Sequence, residues 1–181
     1  MSLKNIIFEL FETILVSLAI ILVLYATVAS VEVVWGASME PNFHTGERIL
    51  VEKLTKHFTG YERGQVVVLT PPTDPNKHYL KRIIGLPGEI VKILDCKVYI
   101  SKDGNKFYLN ENYLDPIDCT RGGDALLDGR ALKIDEDSYM VLGDNRDVSV
   151  DSRVFGFVKE SRIIGKVIFR FWPVGKIGFI S

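Results

Sequence analysis

Positive charge is not in excess in this chain: 22 Lys and Arg stand against 23 Asp and Glu, for a formal net charge of −1. Nucleic acid is thereby excluded as the main partner, because binding a phosphate backbone draws on a basic face. Histidine is scarce. His44, His57 and His78 each fall in a polar, loop-like stretch with no neighbouring pattern that would orient an imidazole as a base. Cysteine is nearly as rare, and the spacing of Cys96 and Cys119 is not that of a zinc site; no His or Cys cluster supplies further ligands, so neither metal nor cofactor is expected. Internal repeats and low-complexity tracts are missing, which excludes solenoids and disordered arrays. Long amphipathic helical periodicity is also largely missing, so a helical bundle does not fit.

What is present begins with one long apolar run. Residues 13–31 (TILVSLAIILVLYATVASV) carry no charged side chain, close to the ~20 residues a helix needs to cross a bilayer. A cleavable signal peptide is the rival reading, but its apolar region is usually only about 7–15 residues and follows a basic segment. Here only Lys4 precedes the run, Glu9 and Glu12 lie at its start, and residues 27–29 make a weak cleavage site. A retained span is expected. Lys4 and the amino terminus on one side, against Glu32 and no basic residue before Arg48 on the other, favour a cytoplasmic N-terminus of residues 1–12. Residues 32–181 would then lie outside.

That outer part is expected to be mostly β. Residues 48–54, 65–69 and 79–84 are β-branched runs bounded by Gly and Pro, and residues 89–100 are a further candidate as one strand or two. Residues 107–109 suit a hairpin across an Asp-Gly-Asn turn, and residues 139–142 and 163–172 close the list. With 47% hydrophobic residues the segment can bury a core, as a barrel or as packed sheets. Residues 95–137 are richer in Asp, Asn and Gly and carry both cysteines, which suits a smaller inserted cap; long hairpins within one domain are the alternative. In an oxidising compartment Cys96 and Cys119 could pair, or both could be buried reduced thiols.

Three stretches could carry chemistry. The first is WGASMEP at residues 35–41, with Ser38 between small residues. No histidine is placed to take its proton, but a desolvated lysine can do so. A free lysine has a pKa near 10.4, leaving roughly one molecule in a few thousand neutral at pH 7, and burial can lower that value by several units. Lys81 has the required setting in the second stretch, HYLKRIIGLPG at residues 78–88: Leu80 precedes it, and Ile83 and Ile84 follow. Lys53, Lys92, Lys97 and Lys166 also alternate in strands, where solvent-facing lysines are ordinary, so pattern alone makes Lys81 only the first among several. The third stretch, GDNRDVSVDSR at residues 143–153, packs Asp, Arg and Ser at close spacing. It suits either an ion-pair network that fixes a loop or a solvated surface loop.

Together these stretches resemble the type I signal peptidases, membrane-bound serine proteases that remove signal peptides. The resemblance rests on residues 36–41, 81–88 and 143–153, in that order behind a single span, and runs to about Pro173. It implies an N-terminal transmembrane helix followed by an all-β catalytic domain on the outer face of the plasma membrane. It implies a Ser/Lys dyad with Ser38 as nucleophile and Lys81 as general base. Ser149 would hydrogen-bond the lysine, while Asp144, Asp151 and Arg153 would hold its strand against the serine. Some members place a hydroxyl two residues before the nucleophile to stabilise the oxyanion. This chain has Gly36 there, so the oxyanion would rest on backbone N–H groups, chiefly that of Ser38.

The implied partners are the signal peptides of secreted preproteins, cut after small residues at −1 and −3, together with membrane lipid and the export machinery. Gly36, Met39 and Leu80 are expected at the substrate cleft, and residues 33–35 (VVW) could dip into the membrane interface. Two other readings compete. A self-cleaving Ser/Lys repressor-type protease would lack the span, and a non-enzymatic membrane-anchored β module would not need both Ser38 and Lys81.

Overall fold

The computed structural model describes residues 3–180; the side chains of Leu24, Ala26, Lys56 and His57 also lie outside the described set. The chain opens with α1 (Leu3–Thr27), exposed along its length. At ~1.5 Å per residue its 25 residues exceed the ~30 Å of a hydrocarbon core. Hydroxyls within it are satisfied locally: Thr13 donates to Glu9 O at 2.8 Å and Thr27 to Val23 O at 2.7 Å. The helix begins well before residue 13 and stops before residue 31, because Glu9 and Glu12 are compatible with helical backbone even where they bound the uncharged run. Ala29, Ser30 and Val31, expected within the span, instead belong to strand β1 (Ala29–Val33).

Beyond it come β2 (Arg48–Glu52), the single turn α2 (Thr55–Phe58), β3 (Val66–Leu69) and β4 (Tyr79–Gly85). There follow β5 (Ile90–Leu94), β6 (Lys97–Lys102), β7 (Asn105–Tyr108), β8 (Ala131–Lys133) and β9 (Ser138–Leu142). The chain closes with α3 (Ser152–Phe155), β10 (Val158–Lys159), β11 (Ile163–Trp172) and β12 (Gly178–Phe179). The larger sheet runs β1-β2-β11-β3-β4-β9-β10, with β12 added to β11, and every pairing in it is antiparallel. The long β11 changes register against both β2 and β3, and such bulges bend and twist a sheet. The smaller sheet, β7-β6-β5-β8, spans residues 90–133. The boundary expected at residue 95 therefore falls inside the β5–β6 hairpin, because Val91 and Ile93 alternate like any half-buried strand and carry no mark of the change of sheet.

Among the described residues three apolar clusters fill the interior. One lies between the smaller sheet and the ends of β4 and β9 (Ile84, Val91, Ile100, Met140 among others). A second lies beneath the loop after β1, with Val34, Met39, Phe43 and Val68. The third joins Val67, Ile83, Tyr139 and Val141 on the remaining face. Strand β4 touches all three, with Leu80 on the second, Ile83 in the third and Ile84 in the first. A strand covered on both faces buries whatever it carries, and this one carries Lys81 and Arg82.

Candidate active site

Ser38 sits in a turn after β1 that two deep side chains anchor. Met39 and Phe43 are each 1% exposed in the second cluster, and Phe43 N–H donates to Met39 O at 2.9 Å. Gly36 starts the turn with φ +85°, backbone that residues with a side chain rarely adopt. Its N–H donates to Thr45 Oγ1 at 3.0 Å and its carbonyl accepts from the same hydroxyl at 3.2 Å. No acceptor among the described residues takes a hydrogen bond from Ser38 N–H. The Ser38 carbonyl accepts from Asn145 N–H at 3.1 Å, which ties the first stretch to the third. Gly143 allows that approach, since a Cβ there would lie 2.4 Å from Ser38 O and 2.2 Å from Ser149 Oγ.

Lys81 reaches this turn from the middle of β4. Its Nζ lies 2.8 Å from Ser38 Oγ and 2.8 Å from Leu80 O, and the residue is 2% exposed. Loss of hydration lowers its pKa from 10.5 to about 8; the negative charges of Asp151 and Asp144 oppose that shift and the positive charge of Arg153 adds to it. Burial therefore makes an amine that can be neutral near physiological pH. The Tyr79 ring lies 5.2 Å from Nζ.

Around the pair the buried charges are matched. Asp144 is fully buried and receives Arg82 through Nε at 2.8 Å and Nη2 at 2.7 Å, plus Asn42 Nδ2 at 2.9 Å. Asp151, also fully buried, receives Arg153 through Nε at 2.9 Å and Nη2 at 2.8 Å. It also accepts Gly143 N–H at 3.0 Å and caps α3 through Arg153 N–H at 3.1 Å. Four donors on one carboxylate hold its loop in one geometry. Arg146 extends the network outward by donating to Gly143 O at 3.0 Å and pairing with Glu111 and Thr120 from the smaller-sheet region.

Of the residues singled out by sequence, Ser38, Lys81, Gly36, Asp144, Ser149, Asp151 and Arg153 converge here. Ser149 is buried, but its Oγ has no hydrogen-bond partner among the described residues, so the expected bond to Lys81 is not formed in this conformation. Met39, expected at the cleft, points into the core instead: with Ser38 presented outward from the turn, its neighbour faces in. Leu80 lines the cleft. His44 lies 3.6 Å from Glu47 and His78 3.3 Å from Glu32, neither is hydrogen-bonded to Ser38, and the His57 side chain is outside the described residues. Cys96 and Cys119 form a disulfide. No group of His, Cys, Asp and Glu able to hold a metal occurs among the described residues.

Sequence reasoning passed over Arg82, Asn42 and Glu111. Arg82 had a signal, because the residue after an inward lysine on a doubly covered strand is also buried and needs a counter-charge. Asn42 and Glu111 had none, since their partners are remote in sequence.

A depression of about 320 Å³ lined by Trp35, Gly36, Ser38, Tyr79 and Lys81 opens onto this pair. Beside it runs a groove of about 660 Å³ between β1 and the start of β4, sharing Trp35, His78 and Tyr79 with the depression. Both walls are strand edges. β1 ends the sheet, and β4 pairs with β9 only from Arg82 onward, leaving Tyr79 and Leu80 open on that side.

The family model for "Signal peptidase, peptidase S26" matches residues 7–172. A probable signal peptidase I-2 of Synechocystis is 34% identical over 179 residues, covering 96% of this chain and 77% of that protein. The signal peptidase I of Bacillus licheniformis is 35% identical over 178 residues, covering 96% and 93%. A crystal structure of a signal peptidase I from Enterococcus faecalis is 30% identical and covers 60% of this chain and 97% of its own, with a TM-score of 0.48. With the family model spanning most of its length, the chain is a peptidase and belongs to the signal peptidase family, S26.

Proposed function

We propose that this chain is a membrane-anchored type I signal peptidase that works through a Ser38–Lys81 dyad, cutting exported preproteins after small residues at −1 and −3. The observation that carries the dyad is the 2.8 Å contact between Lys81 Nζ and Ser38 Oγ at a lysine only 2% exposed. In the neutral form Nζ accepts the Ser38 hydroxyl proton as Oγ attacks the scissile carbonyl carbon. The ammonium then returns the proton to the departing amine, and a water attacks the acyl-enzyme with the same amine as base. The Ser38 N–H supplies the oxyanion donor, since the Gly36 N–H is already committed to Thr45.

The substrate binds as an added strand. An extended peptide laid between β1 and β4 satisfies open backbone groups on both sides, and its alternate side chains meet the floor at Val34 and Leu80. A shallow apolar floor accepts small residues and excludes large ones sterically. Asp144, Asp151 and Arg153 fix the loop that holds the dyad together. Ser149 completes the site when Nζ leaves the Leu80 carbonyl and takes the Ser149 hydroxyl as its partner.

α1 anchors the chain with its N-terminus cytoplasmic and residues 32–181 outside, where an oxidising compartment agrees with the Cys96–Cys119 disulfide. Trp35 (78% exposed) and Phe58 (80% exposed) are aromatic side chains of the kind that settle at a lipid interface. The full chain in proteoliposomes should cleave a preprotein with Ala at −1 and −3. Undiminished cleavage by both Ser38→Ala and Lys81→Ala would overturn the dyad.

A further inference from the structure

The peptide groove has two unlike rungs. Along the inward side of β1 and its continuation, Ser30, Glu32 and Val34 alternate, with Ser30 and Val34 buried and Glu32 partly so. Across the groove, His78 and Leu80 alternate in the same way on the approach to Lys81. Val34 and Leu80 make an apolar rung. The next rung outward is Glu32 with His78, whose Nδ1 lies 3.3 Å from Glu32 Oε1.

Among the described residues, Glu32 is the only carboxylate that lines the groove. Lys77, the other ionic side chain there, is turned to Asp74 at 3.0 Å. A carboxylate has more acceptor sites than one imidazole contact can occupy, and the Glu32 side chain is 26% exposed. It therefore presents unspent acceptor capacity and negative charge to whatever lies in the groove.

We propose that Glu32 is a specificity-determining residue. Its carboxylate favours a cationic over an acidic substrate side chain at one position, two residues further from the scissile bond than the residue packed on Val34 and Leu80. The two-residue offset follows from the period of extended chains: residues i and i+2 on β1 share a face, and so do residues i and i+2 of a peptide lying alongside. His78 closes the rung from the other wall and orients the carboxylate. This reading rests on the placement of substrate proposed above and adds charge selection to it.

The test uses the full chain in detergent and a set of peptides with Ala at −1. With Ala kept at −3 as well, Lys, Gln or Glu is placed in turn at each position from −4 to −6, and kcat/KM is measured for each. At a single position Lys should exceed Glu by about fivefold to tenfold, with Gln between, as expected for a partly exposed charge contact. In Glu32→Gln that ratio should fall close to one, and in Glu32→Lys it should invert, while the preference for Ala over Leu at −1 persists in both as the sign of an intact fold. A flat charge profile in the unmodified enzyme overturns the proposal without any variant, as does an undiminished ratio in Glu32→Gln. Failure to cleave any of the peptides would instead overturn the signal-peptidase reading and the substrate placement on which the proposal stands.

Discussion

Around Ser38 the interior is ionic: Lys81, Arg82, Asp144, Asp151 and Arg153 are all buried. Under the smaller sheet lies an apolar cluster, built from residues such as Val91, Ile93, Val98 and Ile100, and the loop beside that sheet is tied by Cys96–Cys119. Both regions pack against β4 and β9, so the difference is not one of position in the fold. Apolar burial holds a shape without further conditions. A desolvated lysine close to a serine needs a dry site, and the carboxylates that organise that site must each be matched by a guanidinium, or they would pull the Lys81 pKa back up.

The comparison is broken most sharply at Lys81 itself. Ser38→Ala and Lys81→Ala should each lower kcat by at least about a thousandfold, because in the proposed dyad the nucleophile and its base act as a unit. With a base titrating at about 8, kcat/KM should rise about tenfold per pH unit below that value and level off above it. Stability carries the same signature with a definite sign. Below about pH 8 both native and unfolded chains hold the proton, and the cost of burying the charge is present in full. Between about 8 and 10.5 the unfolded chain binds more protons than the native one, so stability rises with pH across that window. Lys81→Met should abolish that rise in a series of urea melts while leaving the protein folded and inactive. An unchanged pH slope would show that the lysine is hydrated.

Asp144→Ala comes next. It leaves Arg82 buried without its carboxylate, a loss of about 3–5 kcal/mol for a broken buried pair, and should reduce both the melting temperature and kcat. Asp144→Asn, which preserves shape and part of the hydrogen bonding, should recover part of each. If Asp144→Ala melts like the parent, the network is not what holds the site.

Much of this contrast was legible in the sequence, and unevenly so. The β character and the apolar helix could be read because they depend on local period and composition. The pairing of Ser38 with Lys81 came instead from the resemblance of three ordered stretches to a known family, since pattern alone left Lys81 one of several strand lysines. The guanidinium partners could not. Arg82 meets Asp144 sixty-two residues away, and only the pairing of β4 with β9 brings them together. Helix limits were read from charge, which governs partition into lipid and not backbone geometry. Val31 and Val33 looked like part of a span or its rim and are exposed edge residues of a strand. Met39 was misplaced because a turn has no period from which to tell its inward residue from its outward one.

The apolar region yields the third expectation. Replacing both Cys96 and Cys119 by Ser opens a link across a sequence separation of 23. The chain-entropy model gives about 3 kcal/mol for a loop of that length. The loss should appear in urea melts, with kcat unchanged at temperatures where the variant stays folded. A fall in kcat of the folded variant would mean that the two regions are coupled, with Arg146–Glu111 as the contact between them.

The smallest effect belongs to Ser149, and it separates shape from chemistry inside the ionic region. Its Oγ is buried without a partner, so Ser149→Ala removes no hydrogen bond from the resting site and should leave stability within about 1 kcal/mol. If that hydroxyl receives Lys81 Nζ during turnover, kcat should nonetheless fall, by about tenfold for one lost hydrogen bond to a charged group, with KM little changed and the alkaline plateau moved to higher or lower pH. Ser149→Thr keeps the hydroxyl but adds a methyl group against Gly143, where the approach is already close, and so should lose stability as well. Equal kcat in the parent and Ser149→Ala would assign Ser149 to packing alone. The lysine would then be oriented by the Leu80 carbonyl and the apolar walls of its own strand, with no help from the third stretch beyond its charges.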